Sequence, residues 1–451
     1  MGPRERNLDA VELFRQSLRQ MVDVGHPLVQ LSEWIDWKVF EQTWSGYFPA
    51  HRGRPALAPR LIAGLLYLQH TTACSDEELV RNWLENPYWQ YFCGETYFQH
   101  TLPCDASSLV RWRKRIGQAG VELLLRETIQ AAERAKVVEA RSYDKLIVDT
   151  TVEEKAIAYP TDSNLLDGVR RKLVELAKDA NLTLRQNYNR EAPRLAIQTS
   201  RYAHARQFQR MRGSLRRLKT VVGRVMREVT RKLHSIPEKY HTTARQLLAM
   251  AEKLLTQQRE DKNKLYSLHA PEVECIGKGK ARQKYEFGVK VSIATTHKEG
   301  LVVGMRSMPG NPYDGHTVVP ALEQVARMID RLPKEIFVDL GYRKAIVPES
   351  VQVYRPKMRG NLSRRLKRDI RRRSAIEPMI GHMKNDGRLR RNWLRGQLGD
   401  AMHAVLCGCG HNLRMILNQY RILCALFSPP GNASKAYRHS LQQKSELFRD
   451  D

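Results

Sequence analysis

An α/β fold is expected for this chain: a mixed five-stranded sheet, with a helical amino-terminal region and a helical insertion after the first strand. Three observations predict it. Helical periodicity gives way near residue 143 to a short β-branched apolar run, 143–152, that reads as a buried strand. A second block, 285–296, alternates with Phe287, Val289, Val291 and Ile293 on one face, and 297–300 turns it into 301–308 as an antiparallel hairpin. A helical stretch, 317–331, then leads to two more short strands, 336–339 and 351–354, placed parallel to the first with helices between.

The elements before the sheet are helical. Residues 8–22 carry Leu8, Val11, Phe14, Leu18 and Met21 on one face. Trp34, Trp37, Phe40, Trp44 and Phe48 recur at helical steps, a stripe better suited to a packed core or dimer seam than to stacking on bases. Arg52, Gly53, Arg54 and Pro55 break the pattern as a linker. Ser75 and Glu78 form a capping box opening a short helix that Asn86 and Pro87 stop. After Pro103, an Asp/Ser cap opens a basic helix, 105–117. Its expected apolar side is Leu109, Val110, Trp112 and Ile116, with Arg111, Arg113 and Arg115 facing outward. A capped helix, a turn and a second basic helix resemble a helix-turn-helix, in which such arginines read base edges.

Between the first and second strands the chain is almost wholly helical and strongly basic. Residues 167–264 hold 24 Lys and Arg against 9 Asp and Glu. A solvated helix face normally mixes both signs. The bias therefore indicates an arm that tracks phosphates, with Arg216, Arg217 and Lys219 as its candidate contacts. The resulting division is amino-terminal helices at 1–52, with a possible dimerisation role, and a helical DNA-binding region at 53–138. The sheet domain comprises 139–164 and 265–427, the basic insertion 165–264, and 428–451 is a mobile tail.

Composition excludes several classes. With 42% hydrophobic and 27% charged residues the chain is ordinary globular protein. It has neither a signal-peptide pattern nor an apolar run of membrane-spanning length. Seven scattered cysteines fit reduced thiols and a cytoplasmic location. The net charge of +28 favours a polyanionic partner, because neutralised phosphates release condensed counterions.

Three acids stand apart. Asp149 lies inside an apolar strand, where an unpaired carboxylate is costly. Asp339 ends another such strand, on the side of a sheet where sites form. Glu377 follows the most basic stretch of the protein: 355–373 holds ten Lys and Arg, Arg364 and Arg365 among them, and one acid, Asp369. Carboxylates converging from two strands and a helix suit Mg²⁺ or Mn²⁺. Two such ions per site clamp the attacking and leaving oxygens of in-line phosphoryl transfer. A lone acid at a strand end is more often a cap or an ion pair; the order strand, strand, helix is what singles these three out. It is the RNase H-like arrangement.

The stretch 373–384, RSAIEPMIGHMK, matches the R-x3-E-x6-K core of the YREK signature of bacterial insertion-sequence transposases. With Asp149 in IVDTT and Asp339 in FVDLGYR it completes the DDE triad of that class. The chain thus resembles those transposases over nearly its whole length, and most resembles the insertion-sequence-five group. The resemblance implies a nucleoid-associated enzyme, working as a homodimer on transposon-end and target double-stranded DNA. Asp149, Asp339 and Glu377 would be the metal ligands, and Arg373 and Lys384 phosphate contacts. Hydrolysis at an element end would free a 3′-OH, which attacks target DNA without a covalent enzyme–DNA intermediate. The signature tyrosine is replaced by Ile370, so its DNA contact falls to Tyr342 or Tyr354 or is missing.

Local patterns add detail. Ser374 and Glu377 have capping-box spacing, which would start a helix near Ser374 with Pro378 in its first turn. Glu377 and Lys384 are two turns apart on one face, with Gly381 between them leaving room for DNA or metal. Cys407, Cys409, His403 and His411 lie on an apolar helix without paired-knuckle spacing and read as packing residues. The Gly277–Lys280 stretch lacks the full P-loop pattern. Residues 309–316 read as a turn, with lining of the site the minority reading, and Asp162 as a helix cap. The alternatives to a transposase are a catalytically retired relative acting as a sequence-specific DNA-binding regulator, and a nuclease that only hydrolyses.

Overall fold

Short capped helices build the first third of the chain. In this computed structural model, which describes residues 15–47 and 56–427 except 259, 278–283, 344, 346 and 359–361, the first helices are α1 (Leu18–Met21), α2 (Pro27–Trp34) and α3 (Trp37–Ser45). The Asp36 side chain accepts from Lys38 N and starts α3, so the aromatic stripe is split between two helices. Trp37, Phe40 and Trp44 are buried, as a packed core requires. Phe48, the linker at 52–55, the helix expected before residue 15 and the tail at 428–451 lie outside the described residues.

Next come α4 (Pro59–Thr72), α5 (Asp76–Glu85), α6 (Pro87–Phe92) and the long α7 (Ala106–Arg134). The Ser75–Glu78 capping box forms on α5. Gly117 (φ 61°, ψ −163°) breaks α7 and separates its basic first part from its apolar remainder. Leu109, Trp112 and Ile116 dock that first part, but Val110 is exposed, contrary to expectation.

Among the described residues the sheet has six strands: β1 (Lys145–Glu154), β2 (Glu274–Gly277), β3 (Tyr285–Thr296), β4 (Val302–Met308), β5 (Glu335–Phe337) and β6 (Gln352–Tyr354). β1, β3 and β4 are antiparallel, and β5 and β6 continue the sheet parallel to β1. This is the RNase H-like order. The additional strand, β2, pairs with the start of β3 on the edge that β4 occupies further along. Four residues without clear alternation gave the sequence no signal for it. β1 ends opposite Gly288, and β2 begins opposite the same residue. A Cβ on Gly288 would sit 1.9 Å from Glu153 O, so only glycine lets the strands close there.

The chain between Glu154 and Glu274 forms α8 (Asp162–Asp179), α9 (Glu191–His204), α10 (Phe208–Arg231) and α11 (His241–Thr256). Thr161, not Asp162, caps α8 by accepting from Asn164 N. These helices bury their own apolar cluster, including Leu173, Leu218, Val222, Val225 and Leu254. The remaining helices are α12 (Asp314–Ile329), α13 (Arg364–Arg372), α14 (Ile376–Asn385) and α15 (Gly396–Phe427). One continuous core unites α2–α7, the sheet, α12 and α15. Among the described residues no helix is long and apolar enough to cross a membrane.

Candidate active site

β1 and β5 pair in parallel from Lys145 with Glu335 to Ile147 with Phe337. Carried two residues further, that register sets Asp149 beside Asp339. Residues two apart on a strand share a face, so both acids stand on the face that carries Ile147 and Phe337. Those two side chains are buried with Ile376 in a small apolar cluster, against which Ile370 also packs. Ile376 immediately precedes Glu377, so the helix that plugs the cluster delivers the third acid. Met383, two turns on, anchors the same helix in the main core.

One guanidinium marks the convergence. Arg373 Nη1 lies 3.4 Å from Asp149 Oδ2, while Nη2 lies 3.2 Å from Glu377 Oε1 and 3.8 Å from Asp339 Oδ1. The Arg373 side chain is 12% exposed, against 50% for Asp339 and 65% for Glu377. The cation is therefore set deep, and two of the three carboxylates open outward. The Asp149 carboxylate, the deepest of the three, also accepts from Thr150 N. A set of carboxylate oxygens around one positive charge fits a hard divalent cation.

Several expected roles change. Arg373, assigned to phosphates, instead pairs with the three acids, because its side chain enters the face on which they gather. Lys384 lies 3.9 Å from the buried carboxylate of Glu286 on β3. The Ser374 capping box does not form. The chain is already helical there, α13 passing through a 3-10 turn at Arg373–Ala375 into α14, and Ser374 Oγ donates to Arg371 O. Ser363 caps α13 instead. Glu377 is thus turned to Arg373 rather than to the backbone. Gly381 faces open space, as expected.

Tyr342 is buried, and burial followed by the charges of Asp149 and Asp314 pushes its phenol well above the usual range. It is not placed to touch DNA. Tyr354 stacks on Phe337 at 5.3 Å. The 309–316 segment does line the region: Asp314, opening α12, accepts from Thr150 Oγ1 at 3.0 Å and pairs with Lys290 at 3.0 Å. An acid in a helix's first turn looks like a capping residue in sequence, so nothing there distinguished Asp314.

Of the basic candidates, Arg364 and Arg365 are exposed on α13, whose Leu366 and Ile370 pack inward and whose Asp369 pairs with Lys145 at 2.8 Å. Arg111 and Arg115 are exposed on α7. Arg113 is not; it is 4% exposed and forks onto Asp76, with Gln69 accepting at 2.9 Å. Its expected outward direction is wrong, because α5 presents a carboxylate to that side of α7. On α10, Arg216 is exposed, Arg217 pairs with Glu191 at 2.6 Å, and Lys219 donates to Leu255 O at 3.1 Å. Gly277 closes β2, and 278–283 lie outside the described residues.

Comparison with known proteins gives two family matches. Residues 16–115 match a transposase domain, DUF772, and residues 255–413 match a transposase DDE domain. Over 208 residues, 46% of this chain, the sequence is 45% identical to the uncharacterized protein ORF8 in the nfe locus of Rhizobium meliloti, all of which is covered. No solved structure matches.

Proposed function

The chain belongs to the DDE transposases of insertion sequences, and from that premise we propose that it binds its element's ends, hydrolyses them and joins the freed 3′-OH ends to target DNA. The observation that carries the reading is the gathering of Asp149, Asp339 and Glu377 around one guanidinium. These three carboxylates would hold Mg²⁺ or Mn²⁺, two ions per site. Bound there, the ions supply Lewis acidity to the scissile phosphate and its attacking hydroxyl. Arg373 offsets the mutual repulsion of three close carboxylates and so keeps them assembled. Asp339 and Glu377, the more open pair, face the incoming phosphate. The exposed Arg364 and Arg365 would hold the DNA backbone beside the site, and Arg111 and Arg115 would read the element's end. Because two ends must be joined, the working species is a homodimer.

A joining assay tests this reading. The protein, Mg²⁺, a duplex ending in the element's own terminus and a second duplex are expected to yield a 3′-OH nick and then a covalently joined product. Nicking without joining would make it a hydrolytic nuclease. Tight end binding without cleavage would make it a retired regulator.

We assign the basic insertion to backbone grip. Arg212, Arg216, Arg224, Arg227 and Arg231 are exposed and follow three-, four- and eight-residue steps along one side of α10. Replacing Arg212, Arg216 and Arg227 together by Gln is expected to weaken binding to specific and unrelated duplexes alike. The slope of log affinity against log salt should flatten by roughly 2–3, at about 0.9 for each phosphate no longer neutralised. An unchanged slope would make the bundle a protein-binding or folding element.

A further inference from the structure

His70, His403 and Cys407 come together where α4 meets α15, a donor set chemically distinct from the three carboxylates. All three are buried, and their candidate ligand atoms lie within 4.8 Å of one another. His403 and Cys407 are one helical turn apart on α15, with Sγ 3.7 Å and 4.0 Å from the two ring nitrogens. His70 arrives from the last turn of α4, its ring 5.9 Å from that of His403. Close approach of the helices is built in: a Cβ on Gly410 would lie 2.1 Å from His70 O.

We propose that these residues form a second metal site, a His₂Cys set for a borderline-soft divalent ion, zinc foremost, that clasps α4 to α15. The donor chemistry separates it from the oxygen-only catalytic set, since imidazole and thiolate select zinc over magnesium. Tetrahedral zinc places such atoms about 3.3–3.8 Å apart, so small side-chain movements close the site. The surrounding groups suit ligation. His70 Nδ1 is 3.1 Å from Leu66 O, which directs its other nitrogen to the cluster. Glu153, wholly buried, meets His403 Nδ1 in a carboxylate–histidine contact of the kind that orients metal-bound imidazoles. A cavity of about 610 Å³, lined by His70, His403, Asp76, Arg113 and Arg388, gives an entry path and room for a water as fourth ligand.

The test uses the full-length protein in excess Mg²⁺, which fills hard sites. Plasma mass spectrometry is expected to find about one zinc per chain, and Co²⁺ added to zinc-stripped protein should give a thiolate-to-cobalt charge-transfer band. Cys407→Ser should lose that band and His70→Gln the stoichiometric zinc, whereas Cys104→Ser, Cys275→Ser and Asp149→Asn should keep both. Glu153→Gln should weaken zinc binding by about 10–100-fold. No zinc and no cobalt band in the wild-type protein would overturn the proposal and leave Glu153 and His403 as a buried ion pair. So would a band that survives in folded Cys407→Ser. Because the wild-type titration decides the matter on its own, misfolding of a variant does not shield the proposal.

Discussion

Asp149→Asn, Asp339→Asn and Glu377→Gln are each expected to lower strand cleavage by at least about 10³-fold, a rise of about 4 kcal/mol in the barrier. The substitutions keep size and remove one negative charge, so the helix carrying Glu377 stays docked through Ile376 and Met383. Binding to element ends should persist, since the exposed arginines of α7, α10 and α13 are untouched. A gel assay of end-labelled duplex, paired with a mobility-shift titration, separates the two effects. Near wild-type cleavage by Glu377→Gln in Mg²⁺ would mean that the site has been assigned wrongly. Loss of cleavage together with loss of folding, seen as a lowered melting temperature, would instead make Arg373 and its partners a structural ion-pair cluster.

The second large effect concerns stability. Arg113→Ala is expected to reduce the unfolding free energy by about 3 kcal/mol at neutral pH, because it strands the Asp76 carboxylate in a poorly solvated place. Burial works to raise the Asp76 pKa, but the hydrogen bonds and charge of Arg113, helped by Gln69, bring it below the usual carboxylate range. A lowered folded-state pKa means stability that is present above the unfolded value and lost as pH falls through the folded one. The cost of Arg113→Ala should therefore shrink as the pH is lowered through the carboxylate range. In the Asp76→Asn background it should be smaller at every pH, and a double-mutant cycle in urea measures the coupling. Unchanged stability, with lost preference for the element's own end, would restore Arg113 as a base reader.

Much of the architecture was legible because sheet strands here carry either β-branched runs or strict alternation. β1, β3 and β4 were visible for that reason, and the two acids at 149 and 339 stood out against apolar neighbours. The partners of the arginines were not legible. Arg113 stands at the i+4 step from Leu109 and so shares its buried face, but only the structure shows that α5 meets it with the Asp76 carboxylate. The same holds for Arg373, whose partners come from three separate segments. Leu109, Trp112, Arg113 and Ile116 follow the i, i+3, i+4, i+7 steps of one buried face, and Val110, about 100° round the helix from Leu109, falls outside it, so the spacing itself exposes Val110. Local spacing suggested a capping box at Ser374, and the preceding helix overrode it. Long-range pairing, rather than pattern, decides such cases.

The crossing at Gly288 also governs how the bundle is attached. The bundle of α8–α11 leaves the sheet after β1 and returns at β2, and both junctions face that one glycine across its two neighbouring strands. Two strand spacings put the exit and the return about 10 Å apart. To the rest of the molecule the bundle is therefore an ornament on a nearly closed loop, and doubling such a loop costs only about 0.6 kcal/mol in closure entropy. With its own apolar interior, the bundle can lengthen or shorten without disturbing the sheet that carries the three acids. On the proposed reading of the bundle as a grip on DNA, changes within it would alter binding while the three acids stay in place.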